Sequence, residues 1–291
     1  MTKALLLPSE IYKKLGAMRL GSKSKLRGQH KGSHRSSRFG SSMDFSDYRT
    51  YHVGDDVRQI DWNVFARSEK YYIKRFLDEQ EMRVHLLLDG TKSMATPEKW
   101  RLAKQLTAAL GHLVLLNDDR LTCSVITNQE VIPFRKKGGV YKQLFAQMML
   151  ELADPSMKSS FAQGVNRYLT KGQTVLLLIT DALEPIQQLE ACIQRLPMYA
   201  GDVRILQLLH EEELNPTYSG DMEFEDIETG AQVNVSMGKS VLTKYQEVQA
   251  KHQQCLEQLC AKYGVALMQI PVEEGFQHVF FHRLKKANWV Q

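Results

Sequence analysis

Two continuous apolar runs, each ending at an aspartate, place the strongest constraint on how this chain folds. One run spans Arg83–Asp89, and the other spans Thr174–Thr180 and is followed directly by Asp181. Runs of this length without polar alternation are typical of strands that are buried on both faces of a parallel sheet. The carboxyl ends of parallel strands meet at one edge, where open α/β folds bind their ligands. Functional side chains are therefore expected directly after these two strands.

Helical patterns separate these strands. Thr96, Pro97 and Glu98 supply a helix N-cap, a proline at the first helical position and an acid in the first turn. Further helices are predicted over Val140–Leu152, Phe161–Leu169, Ile186–Leu196, Val241–Tyr263 and from Phe276 onward, and further strands over Leu121–Thr127, Val131–Phe134, Val203–Leu209 and Val265–Ile270, with a hairpin around Met222–Val235. Strands that alternate with helices in this way predict a doubly wound α/β fold with helices on both faces of a mostly parallel sheet.

The positive charge of the chain is concentrated near its start. The net charge is +5, and residues 11–43 hold nine Lys and Arg, no Asp or Glu, five Gly and seven Ser. This composition favours loop-like backbone, and its basic side chains are candidates for binding phosphates of nucleic acids or an anionic surface. A solvated segment without a ligand is the alternative. The candidate anion-binding residues are Lys23, Lys25, Arg27, Lys31, Arg35 and Arg38.

Composition excludes several classes of protein. With 43% hydrophobic and 24% charged residues the chain is an ordinary globular one. No apolar run approaches the ~20 residues that span a bilayer, and residues 1–10 lack the core of a signal peptide, so a cytoplasmic protein is expected. The four cysteines form no CxxC pair and are expected to be reduced. Because Walker, GxGxxG and GxSxG motifs are missing from the sequence, an enzyme is not expected.

The loop after the first buried strand carries oxygen ligands at alternate positions. Asp89, Thr91 and Ser93 supply one carboxylate and two hydroxyls, and Asp181 ends the neighbouring strand. Ser159, followed by Ser160, would approach the same edge. Oxygen ligands of this kind suit Mg²⁺ better than Zn²⁺. The alternative is a set of ordinary turn and N-cap residues without a metal.

The same loop resembles the metal-ion-dependent adhesion site of von Willebrand factor A domains. Its pattern is Asp-x-Ser-x-Ser with a separate threonine and a separate aspartate, which here correspond to residues 89–93, Ser159 and Asp181. The resemblance implies that the hydroxyls of Thr91, Ser93 and Ser159 bind Mg²⁺, with Mn²⁺ or Ca²⁺ as alternatives. It also implies that Asp89 and Asp181 bind directly or through water, and that an acidic side chain of a protein partner completes the coordination shell.

A second group of residues is similar to the hallmark of the DUF58 family, a bacterial group that carries a von Willebrand-like domain. The matching residues are Gly40, Asp44, Phe45, Arg49, Thr50, Tyr51, Gly54, Asp55, Asp56, Arg58, Ile60, Asp61, Trp62, Ala66 and Arg67. An acidic hairpin at residues 225–230 and a long helix at residues 242–264 agree with the same family. The resemblance covers roughly residues 30–285 and implies an N-terminal extension (1–80), a von Willebrand A-like core (81–210) and a C-terminal hairpin and helix elaboration (211–291).

The charged residues of this hallmark are interpreted as structural. Arginines fork onto carboxylates with two hydrogen bonds, and no nearby His, Ser or Cys is arranged as an activated nucleophile. A network of ion pairs that holds the N-terminal region to the core is therefore predicted rather than an acid and a base. Its members are Arg49, Asp55, Asp56, Arg58, Asp61, Trp62 and Arg67.

The function that these resemblances imply is a non-enzymatic adaptor with a Mg²⁺-dependent protein-binding site. Proteins of this type are typically encoded beside MoxR-type AAA+ ATPases and other von Willebrand-domain proteins, which implies a part in chaperone-like remodelling or complex maturation. The alternative is nucleic-acid or anionic-surface binding through residues 11–43, and a third interpretation is a metal-dependent hydrolase.

Overall fold

A computed structural model describes residues 6–23, 44–77, 81–127, 133–156, 160–216, 220–225 and 232–291. The chain divides into two units, one made of Lys31–Glu81 and the other of Met1–His30 with Met82–Gln291. The three-part division at residues 80 and 210 stays a prediction. Among the described residues, no helix combines the length and apolar character needed to cross a membrane.

The helices and strands follow one another closely along the chain. The α-helices are α1 (Ser9–Leu15), α2 (Trp62–Ser68), α3 (Pro97–Leu116), α4 (Lys142–Glu151), α5 (Phe161–Val165), α6 (Ile186–Ile193), α7 (Glu211–Leu214), α8 (Lys239–Tyr263) and α9 (Gly275–His278), and a π-helical turn, Val279–Leu284, continues α9. The strands are β1 (Asp44–Thr50), β2 (Tyr72–Leu77), β3 (Arg83–Asp89), β4 (Arg120–Ile126), β5 (Phe134–Lys137), β6 (Gln173–Thr180), β7 (Ala200–Leu209), β8 (Gly220–Glu225), β9 (Gln232–Met237) and β10 (Ala266–Pro271).

Six strands of the larger unit form one sheet in the order β10-β7-β6-β3-β4-β5. All neighbours are parallel except β5, which runs antiparallel to β4. The two apolar runs, β3 and β6, lie side by side, with Leu88 opposite Ile179. Asp89 and Asp181 therefore follow adjacent strands at the same edge. This arrangement confirms the predicted α/β class.

Helices cover both faces of this sheet because successive residues of β3 point to opposite sides. Leu86 and Leu88 pack into one buried cluster with the apolar face of α3, while Leu87 packs into the other with Leu189 of α6 and Leu256 of α8. Six of the seven β3 residues are buried, which explains why the strand shows no polar alternation.

The start of the chain is more ordered than its composition predicts. Helix α1 buries Ile11 and Leu15 in the same cluster as α3, because these two residues lie four positions apart on one face. The expectation of loop-like backbone from residue 11 onward is therefore wrong for residues 11–15, whereas residues 16–22 form turns and irregular structure with one isolated bridge at Leu20. Helix α5 is also shorter than predicted, since three-residue turns replace the α-helical pattern after Gly164.

An ion pair at the amino end of β7 joins the described start and end of the larger unit. Arg204 and Asp202 are 2–3% exposed and lie 2.6 Å apart. Arg204 also donates to the carbonyl oxygen of Gly21 (2.6 Å), and its guanidinium lies 5.1 Å from the ring centre of Trp289. Asp202 accepts from the backbone N–H of Lys23.

Candidate functional site

Asp89 is held rigidly at the end of β3. Its Oδ1 accepts hydrogen bonds from the backbone N–H (2.9 Å) and the hydroxyl (2.7 Å) of Thr91, and its Oδ2 accepts from the hydroxyl of Thr180 (2.6 Å). The loop leaves the strand at Gly90, where a Cβ would stand 2.7 Å from the carbonyl oxygen of Ile126. Glycine is required here because the neighbouring backbone of β4 approaches so closely.

Burial changes the acidity of Asp89. The side chain is 1% exposed, and desolvation followed by repulsion from Asp181 raises its pKa to about 7. The hydrogen bonds from Thr180 and Thr91 act in the opposite direction. The charge of Asp181 thus opposes the ionisation of Asp89, a repulsion that a nearby cation would relieve.

The two hydroxyls of the loop converge. Thr91 Oγ1 lies 2.9 Å from Ser93 Oγ, and Thr91 is buried while Ser93 is partly exposed. Because the Thr91 hydroxyl donates its proton to Asp89, its lone pairs are left free to accept or to bind a cation.

One carboxylate oxygen of Asp181 accepts no hydrogen bond from the described residues. The side chain is 2% exposed, Oδ1 accepts from the backbone N–H of Leu183 at 3.4 Å, and Oδ2 is buried, with the Lys99 ammonium 3.6 Å away. Burial raises the pKa of Asp181, whereas Lys99 and Ser93 lower it. The next residue, Ala182, has a left-handed φ of 50°, and this strained turn directs the chain away from the sheet.

A buried lysine that the loop pattern does not predict lies beside this carboxylate. Lys99, in the first turn of α3, is 0% exposed, and its Nζ lies 3.6 Å from Asp181 Oδ2 and 2.8 Å from Glu213 Oε1. It also donates to the carbonyl oxygen of Ser93 at 3.4 Å. Its position was detectable, because Lys99 falls on the apolar face of the helix with Leu102 and Leu106.

Glu213 is positioned by a helix that follows the next strand of the sheet. Its Oε2 accepts from the backbone N–H of His210 (2.7 Å), where β7 gives way to α7. The His210 ring contacts Thr96 Oγ1 (2.8 Å) and Glu273 Oε1 (3.1 Å). Thr96 is the N-cap residue of α3 as predicted, but its hydroxyl bonds to this histidine and makes no capping hydrogen bond. The segment that follows the carboxyl end of a third parallel strand, β7, therefore contributes to the site.

The remaining predicted ligand lies outside the described residues. This ligand is Ser159, and its part in the site stays a prediction. Its neighbour Ser160 is an N-cap, since its hydroxyl accepts from the backbone N–H of Gln163 (3.2 Å). Glu184, which sequence analysis did not identify, accepts from the backbone N–H of Ala162 (3.0 Å), and burial raises its pKa.

The hallmark residues of the smaller unit form local contacts. Arg49 binds Asp55 with two hydrogen bonds (2.6 and 2.7 Å), which lowers the pKa of Asp55 to about 2. Asp56 caps the short 3-10 helix Val57–Gln59 and lies 3.3 Å from Arg58. Asp61 caps α2 and accepts from the hydroxyl of Tyr48. Three members are exposed, namely Arg58, Trp62 (58%) and Arg67. Attachment of this network to the core stays a prediction.

Most of the candidate anion-binding residues also lie outside the described part of the chain, namely Lys25, Arg27, Lys31, Arg35 and Arg38. Lys23 is described and exposed, and its backbone N–H is bound by Asp202. The alternative function in nucleic-acid or anionic-surface binding therefore stays a prediction.

The oxygen atoms of the site fit a hard divalent cation. Thr91, Ser93 and Asp181 offer two hydroxyls and a carboxylate, the donors that Mg²⁺ prefers, although the Lys99 ammonium already lies 3.6 Å from Asp181 Oδ2. Both oxygens of Asp89 already accept hydrogen bonds, so this residue is suited to orient the Thr91 hydroxyl and to bind a cation through water. Among the described residues, no three His, Cys, Asp or Glu side chains form a metal-binding group.

Comparison with known proteins gives a family match over most of the chain. A model of the family described as "Protein of unknown function DUF58" matches residues 47–255. The "Uncharacterized protein Rv1480" of Mycobacterium tuberculosis is 22% identical over 271 residues, which cover 90% of this chain and 85% of that protein. The "Uncharacterized protein Mb1516" of Mycobacterium bovis matches to the same extent.

Two solved structures also match at low TM-scores. The conserved hypothetical protein BatB from Bacteroides thetaiotaomicron has a TM-score of 0.38 and 12% identity, covering 70% of this chain and 98% of that one. The SpRpn10 VWA domain has a TM-score of 0.39 and 12% identity, covering 68% of this chain and 92% of that one.

Proposed function

Since this chain belongs to the DUF58 family, we propose that it is a non-enzymatic protein-interaction module that captures a protein partner through a divalent cation. The cation is held at the edge of the sheet by Asp89, Thr91, Ser93 and Asp181. The observation that carries the proposal is the meeting of oxygen donors at the ends of adjacent strands: the Thr91 hydroxyl contacts both Asp89 and Ser93, and the buried Asp181 Oδ2 accepts no hydrogen bond from the described residues.

Each residue has a separate task in this proposal. Thr180 and Thr91 hold Asp89 in place, and Asp89 in turn orients the Thr91 hydroxyl. Ser93, which is partly exposed, stands at the solvent side of the site. Bound Mg²⁺ supplies a positive charge toward solvent, to which a carboxylate of the partner is attracted.

The partner class comes from the family resemblance and not from the residues of this chain. We assign it to a MoxR-type AAA+ ATPase, with other von Willebrand-domain proteins as further members of the assembly. A chaperone-like part in remodelling or maturation follows from that pairing.

Calorimetric titration of the purified chain with MgCl₂ or MnCl₂ tests the cation. The chain is expected to bind one ion saturably, and Thr91→Val combined with Ser93→Ala is expected to abolish this binding, because it removes two ligands and leaves both buried carboxylates. Ser156→Ala, at an exposed serine, is the matched control. Equal binding by the double variant would place the ion elsewhere.

Binding to the purified MoxR-type ATPase tests the partner. With Mg²⁺ present throughout, the wild-type chain is expected to bind and the double variant to lose binding by at least about tenfold, which is ~1.4 kcal/mol. Comparing variants at constant Mg²⁺ avoids the direct effect of a chelator on the ATPase. Equal binding by both chains would refute metal-dependent capture.

A further inference from the structure

We propose that Lys99 and Glu213 set the cation affinity of this site, with the Lys99 ammonium acting as a tethered competitor of the divalent ion for Asp181. This inference rests on the proposed function, because it concerns the same four ligand residues. It adds two residues that neither the loop pattern nor the family match assigns.

The ammonium group of Lys99 is buried beside the proposed cation ligands. Lys99 is 0% exposed, and a buried ammonium is stable only when anions and carbonyl oxygens surround it. Its contacts are Glu213 (2.8 Å), the Ser93 carbonyl oxygen (3.4 Å) and Asp181 (3.6 Å). Asp181 is also a proposed cation ligand, so the ammonium and a divalent ion compete for its negative charge.

Negative charge at the site exceeds the charge of Lys99. Among the described residues, the carboxylates of Asp89, Asp181 and Glu213 lie around this ammonium, and Glu184 is near enough to Asp181 for the two carboxylates to repel one another. Lys99 therefore neutralises only part of the negative charge, and the remainder favours binding of a divalent cation.

The ammonium of Lys99 lies between the carboxylates of Glu213 and Asp181. It is 0.8 Å closer to Glu213 than to Asp181, given distances of 2.8 and 3.6 Å. Glu213 is itself fixed by the backbone N–H of His210. Glu213 therefore holds the ammonium at hydrogen-bond distance and keeps it beyond hydrogen-bond distance of Asp181, with which it forms the longer ion pair. That leaves Asp181 Oδ2 available to a cation.

The two residues consequently have opposite effects. Lys99→Met removes the competing charge, so the affinity for Mn²⁺ is expected to rise by about tenfold or more, since unit charges a few ångströms apart interact by several kcal/mol in a protein. Glu213→Gln releases the ammonium toward Asp181, and the affinity is expected to fall by about tenfold.

Titration with MnCl₂, followed by electron paramagnetic resonance of the free ion, measures these affinities on the full chain. Lys104→Met on the same helix and Glu212→Gln on α7 are the charge-matched controls and are expected to leave the affinity unchanged within about twofold. The increase of the melting temperature on saturation with Mn²⁺ gives an independent readout, expected to be larger in Lys99→Met than in the wild type.

The outcomes separate the two proposals. Mn²⁺ binding by the wild type with unchanged affinity in both variants would overturn the competitor role and leave the cation site standing. Absence of binding in the wild type and in Lys99→Met would refute both. Should Lys99→Met fail to fold without the ion, Glu213→Gln decides, because an affinity equal to or above that of the wild type contradicts the proposal.

Discussion

At the scale of single residues, the site places charge where solvent cannot reach it. Asp89, Lys99 and Asp181 are each 2% exposed or less, and burial raises the pKa of both aspartates while hydrogen bonds from nearby hydroxyls lower it. Such an arrangement is costly to folding when no external ion is bound, and it makes the stability of the fold depend on pH.

Asp89 gives a pH dependence of defined sign. Its pKa is about 7 in the folded chain, against 3.8 as the ordinary value, so the folded chain keeps a proton that the unfolded chain loses near pH 4. The stability from this group is complete below pH 4 and is lost as the pH rises to 7. In chelator, the free energy of unfolding of the wild type should fall by about 1–2 kcal/mol between pH 5 and 7 relative to Asp89→Asn. Urea denaturation at three pH values measures this; parallel curves would contradict it.

The buried histidine of β3 acts in the opposite direction. Burial, with a smaller contribution from Arg135, lowers the pKa of His85 to about 4, and its ring contacts Ser124 at 3.0 Å. The folded chain therefore resists protonation that the unfolded chain accepts near pH 6.5, and stability from His85 is lost as the pH falls toward 4. In His85→Gln, acid destabilisation between pH 6.5 and 4 is expected to weaken, measured by the same denaturation series, with the exposed His278→Gln as control.

At the scale of helices and strands, α3 connects the site to the rest of the larger unit. Its first turn carries Lys99, and its middle packs against α4, where Gly111 faces the ring of Phe145. A side chain at Gly111 would collide with that ring, so glycine is needed here for close packing of the two helices. Glycine in a helix is otherwise unfavourable by about 1 kcal/mol relative to alanine.

Gly111→Ala is therefore expected to destabilise the chain by about 1–3 kcal/mol, opposite to the usual effect of this change in a helix. In a Phe145→Leu background the ring is gone, and the same change is expected to be neutral or stabilising. Free energies of unfolding of the four chains measure the coupling. Additive effects would show that the two residues do not meet.

Local sequence patterns predict several helices and strands of this unit, but they do not predict which side chains meet at the site. The runs at β3 and β6 predict buried strands because parallel strands allow no alternation, and adjacency of their ends follows from the sheet. Apolar residues at helical spacing likewise predict α3 and α8. The partners of Asp181 were not predictable in the same way, since Lys99 and Glu213 lie 82 and 32 residues away in the chain. Their meeting depends on strand order, which no local pattern encodes.

At the scale of the whole molecule, the described start and end of the larger unit are fastened to the amino edge of the sheet. Arg204 and Asp202 hold Gly21, Lys23 and Trp289 together, and Leu20 pairs with Val290 in an antiparallel bridge. The proposed cation site lies at the opposite, carboxyl edge.

Arg204→Leu is expected to cost about 3–5 kcal/mol, because Asp202 would remain buried without its cation. Adding Asp202→Asn should recover part of this loss, since the buried charge is then removed. Arg195→Leu, at an exposed arginine, is the control. Denaturation in urea measures all four; a loss no larger than that of the control would show that the pair does not stabilise the fold.

The contacts at the amino ends of the strands also indicate how the protein is best immobilised for binding measurements. Gln291 accepts a hydrogen bond from the backbone N–H of Arg19, which places the end of the described chain at the edge remote from Asp89 and Asp181. Immobilisation on a sensor surface through a flexible linker after Gln291 consequently keeps the point of attachment away from the proposed cation site.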